Sequence, residues 1–460
     1  MKAIPRRKYL SLSAMATAGA LLPRPLPAGE LRSSDWLSHG WDVDQTRHNS
    51  GESTLGPENV SRLRLRWEFE AASGITGTPS VVGDRVIVGS WDGRVYGLDR
   101  DTGRMLWTFD AGMRSYPPDR KLGVFASPAV AGRAVYVASD RLIAIDLEGG
   151  KRLWERTIGK PDKTFEYFWA PPLVHSSRLY AGVSAGTETE TRARLVCLDT
   201  DTGAIRWTFF TVAPDVAGGA LIAPPSLDPR TRTLYAATGS PFRIRPGPLR
   251  HTCSVIEIEY ATGALRWADQ VYPHDDRNLD LNCPPMLVRA MRNGRRASLI
   301  VVGGKGGIRA WDRESKKRLW HVQITPSRLP DSGEVLPTTG PEFGPTAAAG
   351  GLVFFASNNH PDKTCLIAAI EAVTGEIRWL HCLPAFQLGP ISVANGVVYL
   401  GLVDGKMRAW RARNGDLLWE SPQGQPIAGG PAVARGMVFV GTGAGEYLPG
   451  NRLLAFALEA

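Results

Sequence analysis

The sequence predicts an all-β protein, an eight-bladed β-propeller whose last blade is closed by the N-terminal strand, and three observations carry that expectation. The first is a recurring phrase: a β-rich run, a two-residue turn that is usually Thr-Gly or a relative, and a tryptophan, usually three residues later. It occurs at Thr102-Gly103 to Trp107, Gly149-Gly150 to Trp154, Thr202-Gly203 to Trp207, Thr262-Gly263 to Trp267, Lys316-Lys317 to Trp320, Thr374-Gly375 to Trp379 and Asn414-Gly415 to Trp419. The second is a repeat split between the ends. Trp67 follows Leu63-Arg64-Leu65-Arg66 with no turn before it, whereas the C-terminal run from Asn451 to Leu458 has the strand but no turn or tryptophan after it. A repeat divided in this way closes a radial array into a ring. The third is composition, with 50 Gly and 34 Pro in 460 residues, which suits many short strands joined by tight turns.

The first complete blade shows how each repeat is built. Ser80-Val81-Val82, a Gly83-Asp84 turn and Arg85 to Gly89 make a hairpin, Gly93 to Asp99 alternates into a third strand, and Asp101-Thr102-Gly103 turns into the strand that carries Trp107. Pro128, Pro172, Pro225, Pro285 and Pro431 open later blades in the same way, with extra length placed in loops. One indole buries on the order of 150 to 250 Å², roughly 4 to 6 kcal/mol as an upper bound. A single blade has no second layer to cover it, so the tryptophans are expected to wedge between neighbouring blades as packing residues.

Residues 1–28 read as a signal peptide of the twin-arginine type: Arg6-Arg7-Lys8, an uncharged stretch from Tyr9 to Pro23, and a small-residue exit near Ala28. The stretch is too short for a comfortable membrane span, and residues 36–460 form one propeller domain delivered to the periplasm or secreted. Removing the leader takes away Lys2, Arg6, Arg7, Lys8 and Arg24 and no acidic residue, so the formal charge falls from +9 to +4. Charge that weak and scattered argues against a nucleic-acid partner. Cys197, Cys253, Cys283, Cys365 and Cys382 contain no Cys-x-x-Cys pair, so neither a zinc site nor covalent haem attachment is expected. Cys365 and Cys382 are a candidate disulfide in an oxidising compartment.

Beyond the blades, Trp36-x-x-x-Gly40-x-Asp42-x-x-x-Thr46-Arg47, followed by Asn59-Val60, Leu63 and Trp67, resembles the opening phrase of the quinoprotein dehydrogenases, and the turn-to-tryptophan phrases resemble their docking motif. The likeness covers Trp36 to the C-terminus. It implies a propeller that holds pyrroloquinoline quinone and calcium; related repeats also build the non-enzymatic propeller of the outer-membrane barrel assembly machinery.

The resemblance also nominates site residues. The family's Pro-His-Asp-x-Trp-Asp stretch, which ends in the base, matches Pro273 to Asn278 and places Asn278 at the base, with Asp280 two residues on as a substitute. A neutral amide cannot take the proton that a positioned base removes. Lys305, in Gly303-Gly304-Lys305-Gly306-Gly307, matches the cation that contacts the quinone oxygens. Glu188, with Glu190 one register away, Ser240 and Asn278 match the calcium ligands, and Ser240 replaces an asparagine. Ile222 stands where the family has the tryptophan that floors the quinone pocket, and the family's adjacent-cysteine pair is missing. Two readings follow: a binding or scaffold module with a degenerate cofactor site, partnered by a small molecule or a periplasmic protein, or an active quinone-dependent dehydrogenase that oxidises an alcohol, polyol or sugar and passes electrons to an external carrier.

Overall fold

A computed structural model describes residues 33–459 except 116–120, 159–165, 186–191, 215, 242–248, 274, 276–278, 293, 306, 326–338, 341–345 and 360–361. The leader, Glu188, Glu190 and Asn278 therefore lie outside the described residues.

Eight antiparallel sheets of four principal strands form the ring. From the axis outward, blade 1 runs Ser80–Val82, Arg85–Gly89, Arg94–Asp99 and Met105–Asp110. Blades 2 to 7 repeat this order, and their innermost strands are Ala129–Ala131, Leu173–His175, Ser226–Asp228, Met286–Arg292, Thr346–Ala349 and Ser392–Ala394. Blade 8 takes Ala432–Ala434, Met437–Gly441 and Arg452–Leu458 from the C-terminus and its outer strand, Leu63–Glu70, from the N-terminus. That outer strand pairs antiparallel with Arg452–Leu458, from Leu63 opposite Leu458 to Glu70 opposite Arg452. The split repeat is thus the closure of the ring. Among the described residues the only helix is the short 3-10 turn Val60–Arg62.

The tryptophans link each blade to the next. The indole N–H of Trp107 donates to Leu147 O at 2.9 Å, that of Trp154 to Thr200 O at 2.7 Å and that of Trp379 to Ala412 O at 3.0 Å, in each case a carbonyl of the following blade. The turn glycine of that blade lies against the indole face. Gly203 has φ +65°, and a Cβ there would sit 2.7 Å from Trp154, so glycine provides both the left-handed backbone and the close approach. The Lys316-Lys317 turn solves the same problem differently. Lys316 itself adopts φ 61° and lays its ammonium 5.5 Å from the ring of Trp267 while pairing with Glu257.

The opening phrase forms a plug. The innermost strands present unpaired N–H groups to the axis, as any sheet edge does. The chain from Trp36 to Asn49 supplies acceptors to most of them in turn. Val81 donates to Trp36 O (2.7 Å), Val130 to Leu37 O (2.7 Å), Leu227 to Val43 O (2.8 Å), Leu287 to Asp44 O (2.9 Å), Ala348 to Thr46 O (2.9 Å) and Val393 to Arg47 O (2.9 Å). Asn49 Nδ2 completes the circuit by donating to Val433 O of blade 8 at 2.7 Å. Positive φ at Trp41, Gln45 and Arg47 gives the segment its curl. A Cβ on Gly40 would meet Gln45 at under 3 Å. Asp42 binds Thr46 through both its N–H (2.9 Å) and its hydroxyl (2.8 Å). Arg47, fully buried, donates to Ile391 O at 2.6 Å, to Ser392 Oγ at 2.8 Å, to Pro431 O at 3.2 Å and to His39 O, and its guanidinium lies over Trp36. Burial pulls that guanidinium down to about 9.

The suggested Cys365 to Cys382 bridge is not formed. Both are free thiols, Cys365 in the core and Cys382 exposed. On adjacent strands Cys365 faces Leu383 and Leu366 faces Cys382, one register position out of step, so the two side chains emerge on opposite faces of the sheet.

Candidate active site on the propeller axis

Above the plug the axis opens into a cavity of about 370 Å³, within the range of roughly 300 to 1,000 Å³ usual for small-molecule sites. Its floor includes His39 of the plug, and its walls include Pro171, Pro224, Pro284 and Pro390, each two residues ahead of an innermost strand. Proline suits this wall because it brings no N–H that would need a partner there. One side is aromatic. Phe125 lies 5.2 Å from Trp91 and 4.9 Å from Trp169, stacks on Tyr167 at 5.1 Å, and Tyr447 meets Trp91 edge-on at 5.8 Å. Ile222, the residue that replaces the family's tryptophan, lines the same cavity.

A polar cluster begins two residues along the chain from the cavity residue Asn282, and none of its own side chains lines the cavity. Three loops build it. Ser240 follows the second strand of blade 4, Thr233–Ala237; Asp275 and Asp280 lie on the connection into blade 5; and Lys305 sits at the turn between Arg295–Gly304 and Gly307–Asp312. Lys305 Nζ lies 2.7 Å from Asp280 Oδ2. The other oxygen of Asp280 accepts the Ser240 N–H at 2.7 Å and its hydroxyl at 2.8 Å. Asp275 Oδ2 lies 2.6 Å from the same hydroxyl and accepts the Leu279 N–H at 2.6 Å and the Cys253 thiol at 3.3 Å. Burial, reinforced by the charges of Asp275 and Asp280, pushes the Cys253 thiol far up, so it serves as a donor and not as a thiolate. Glycines make the approach close enough: a Cβ on Gly239 would stand 2.7 Å from Asp280 Oδ1, and one on Gly304 would stand 2.6 Å from Asp280 O.

The structure therefore brings Ser240, Asp280 and Lys305 together and puts Ile222 on the cavity wall. Sequence reasoning missed Asp275, Cys253, His39 and the aromatic wall. The signal for the wall was present: Trp91 and Trp169 fall outside the docking phrase.

Comparison with known proteins agrees with this division of the chain. Residues 61–208 and 304–456, well over half the sequence, match the PQQ repeat model described as outer membrane protein assembly factor BamB. The chain belongs to the PQQ/BamB-like repeat family. Residues 221–328 of this PQQ-like propeller match a second model, described as the β-propeller domain of glucose, ethanol and alcohol dehydrogenases. That stretch contains Ser240, Asp275, Asp280 and Lys305. The propeller is 27% identical to a polyvinylalcohol dehydrogenase of a Pseudomonas species over 94% of this chain and 79% of the relative. It is 24% identical to the quinohemoprotein alcohol dehydrogenase ADH IIB of Pseudomonas putida over 99% and 83%. Its fold superposes on a europium-containing methanol dehydrogenase with a TM-score of 0.82, covering 93% of this chain and 98% of that one at 20% identity. Among the described residues no helix is long and apolar enough to cross a membrane.

Proposed function

We propose that this PQQ-like propeller is an exported quinone-dependent dehydrogenase that oxidises the hydroxyl group of an aliphatic alcohol or polyol. The observation that carries this reading is the convergence of Asp280, Lys305 and Ser240, two residues along the chain from Asn282 of the axial cavity. A drifted scaffold has no need to keep a carboxylate, an ammonium and a hydroxyl from three separate loops in one hydrogen-bonded group. The names of the polyvinylalcohol and quinohemoprotein relatives support the same direction and point toward hydroxylated aliphatic substrates.

The residues fit the implied cofactors. The cavity has the size of a small-molecule site, Trp91, Phe125 and Trp169 offer flat apolar surface, and Lys305, paired with Asp280, is the cation of the neighbouring cluster. Ser240 Oγ has one hydrogen, yet two carboxylate oxygens lie within 2.6 and 2.8 Å of it. These are hard oxygens of the kind calcium takes, and Ser240, Asp275 and Asp280 are the residues that would hold it. When bound, the quinone would accept the two electrons of alcohol oxidation and calcium would polarise it. Asp280 is the group placed to take the substrate hydroxyl proton. Lys305 orients that carboxylate and favours negative charge nearby, Ser240 fixes its second oxygen, and the aromatic wall excludes water. The Asn278 register expectation gives way to Asp280 as the base in this reading.

The test is reconstitution. Purified mature protein mixed with pyrroloquinoline quinone and calcium should retain about one quinone per chain after desalting and reduce an artificial dye with secondary alcohols. No retention at micromolar quinone sinks the proposal. The scaffold reading keeps one observation of its own, the isoleucine at 222 in place of a stacking indole, and retention without dye reduction would favour it.

A further inference from the structure

Blade 5 differs from its neighbours on the face of the ring away from the axial cavity. In the other seven blades the hairpin of the two inner strands ends level with the third strand or within one residue of it. In blade 1, for example, the last pair, Val82 with Arg85, lies beside Asp99, where the third strand ends. In blade 5 the third strand ends at Asp312, opposite Leu299, and the hairpin continues through Arg289 with Ser298, Ala290 with Ala297, Met291 with Arg296 and Arg292 with Arg295. Among the described residues no further strand lies beside those pairs, so they overhang the ring. The inner strand starts next to the cavity residue Pro284, and at about 3.3 Å per residue Met291 stands roughly 20 Å from that wall.

The overhang combines cations with one apolar side chain. Residues 289–298 contain four arginines and no acidic residue. Arg289 is tied back to the plug by Asp44, 2.5 Å away. Arg295 and Arg296 are exposed, and among the described residues their guanidinium groups make no ion pair or hydrogen bond. Met291, at 60%, is the most exposed large hydrophobic side chain described. Paired residues share a face of a β-ladder and the faces alternate along each strand, so Met291 stands with Arg289 and Arg296 on one side of the hairpin. This arrangement suits a surface that offers anions at its face and hydrocarbon just below.

We propose that the blade 5 hairpin docks the propeller on an anionic phospholipid bilayer, with Arg295 and Arg296 at the lipid phosphates and Met291 in the apolar layer beneath them. Charge complementarity selects this occupant. A second copy of the chain would bring arginine against arginine. A specific protein interface takes roughly 800 Å² from each partner around an apolar centre, and a single methionine flanked by arginines on a narrow tip does not supply that. A bilayer needs no matching shape and provides both the anions and the apolar layer. The axial cavity then faces away from the membrane, open to solutes, and the contact depends on no quinone.

The test is co-sedimentation of the mature protein, without added quinone, with vesicles of phosphatidylcholine alone or mixed equally with phosphatidylglycerol. The mixed vesicles should carry the protein down and the pure phosphatidylcholine vesicles should not. Arg295→Gln combined with Arg296→Gln should weaken binding about 30-fold, about fivefold per arginine. The melting temperature should stay unchanged, because neither guanidinium has a partner to lose. In a Cys382→Ser background the four remaining cysteines are buried, so Met291→Cys can be labelled alone with an environment-sensitive dye, whose emission should shift to the blue on the mixed vesicles. No binding to mixed vesicles, equal binding to both kinds, a double variant that binds like the parent, or a dye that does not respond would each overturn the proposal. So would binding to polyglutamate in preference to vesicles, which would assign the hairpin to an acidic protein. None of these readouts involves alcohol oxidation, so failure of the dehydrogenase reading leaves the result intact.

Discussion

The rim and the axis of this propeller follow opposite rules. At the rim one device repeats: an indole from one blade donates to a carbonyl of the next and lies on its turn glycine, as with Trp107 on Gly150, Trp154 on Gly203 and Trp379 on Gly415. At the axis each blade contributes something different: Trp91 from blade 1, Ser240 from blade 4, Lys305 from blade 5 and Tyr447 from blade 8. The rim needs equivalence because closure depends on eight similar joints. In the proposed reading the axis needs asymmetry because a ligand has unlike ends.

Four perturbations test that contrast, taken from the largest expected effect to the smallest. Asp280→Asn should lower alcohol-dependent dye reduction by about 10² to 10⁴ while leaving quinone retention near one per chain; an unchanged rate would remove Asp280 from the chemistry. Trp107→Ala should act in the reverse sense, costing about 3 to 5 kcal/mol in urea unfolding with kcat retained in the folded fraction. Gly203→Ala introduces a Cβ 2.7 Å from Trp154 at φ +65° and should cost roughly 1 to 3 kcal/mol with no effect on quinone binding; a neutral result would show that the joint yields easily. The fourth concerns the plug. Burial pushes the Asp42 carboxyl up to about 7, against two lowering hydrogen bonds from Thr46. A carboxyl raised on folding binds its proton more tightly in the native state, so its contribution is fully present below about pH 4 and is lost as pH rises toward 7. Asp42→Asn should flatten that decline in thermal stability between pH 4 and 8, and an unchanged slope would assign it to other groups.

The rim was legible in the sequence because a repeated joint leaves a repeated phrase. The split repeat between Leu63–Glu70 and Arg452–Leu458 was legible for the same reason. The plug announced itself only as a family phrase, since a segment that contacts six blades by backbone carbonyls and a seventh by the Asn49 amide leaves little side-chain pattern beyond Gly40, Asp42 and Arg47. Asp280, Lys305 and Ser240 were found through resemblance, but Asp275 and Cys253 were not, because their partnership with Ser240 depends on three loops meeting in space. Trp91 and Trp169 could have been flagged: a tryptophan that does not fit the docking phrase has to be buried somewhere other than a joint. The disulfide expectation failed because sequence spacing does not reveal on which face of adjacent strands Cys365 and Cys382 emerge.

The central claim is that the polar cluster on the axis performs chemistry while the rim only holds it in place. Comparing dye reduction by the parent and Asp280→Asn proteins, each loaded with quinone and calcium and matched for retained quinone, tests it most directly. The account predicts equal loading and a rate at least about a hundredfold lower in the variant. Equal loading with equal rates, or a parent that retains no quinone, would contradict it.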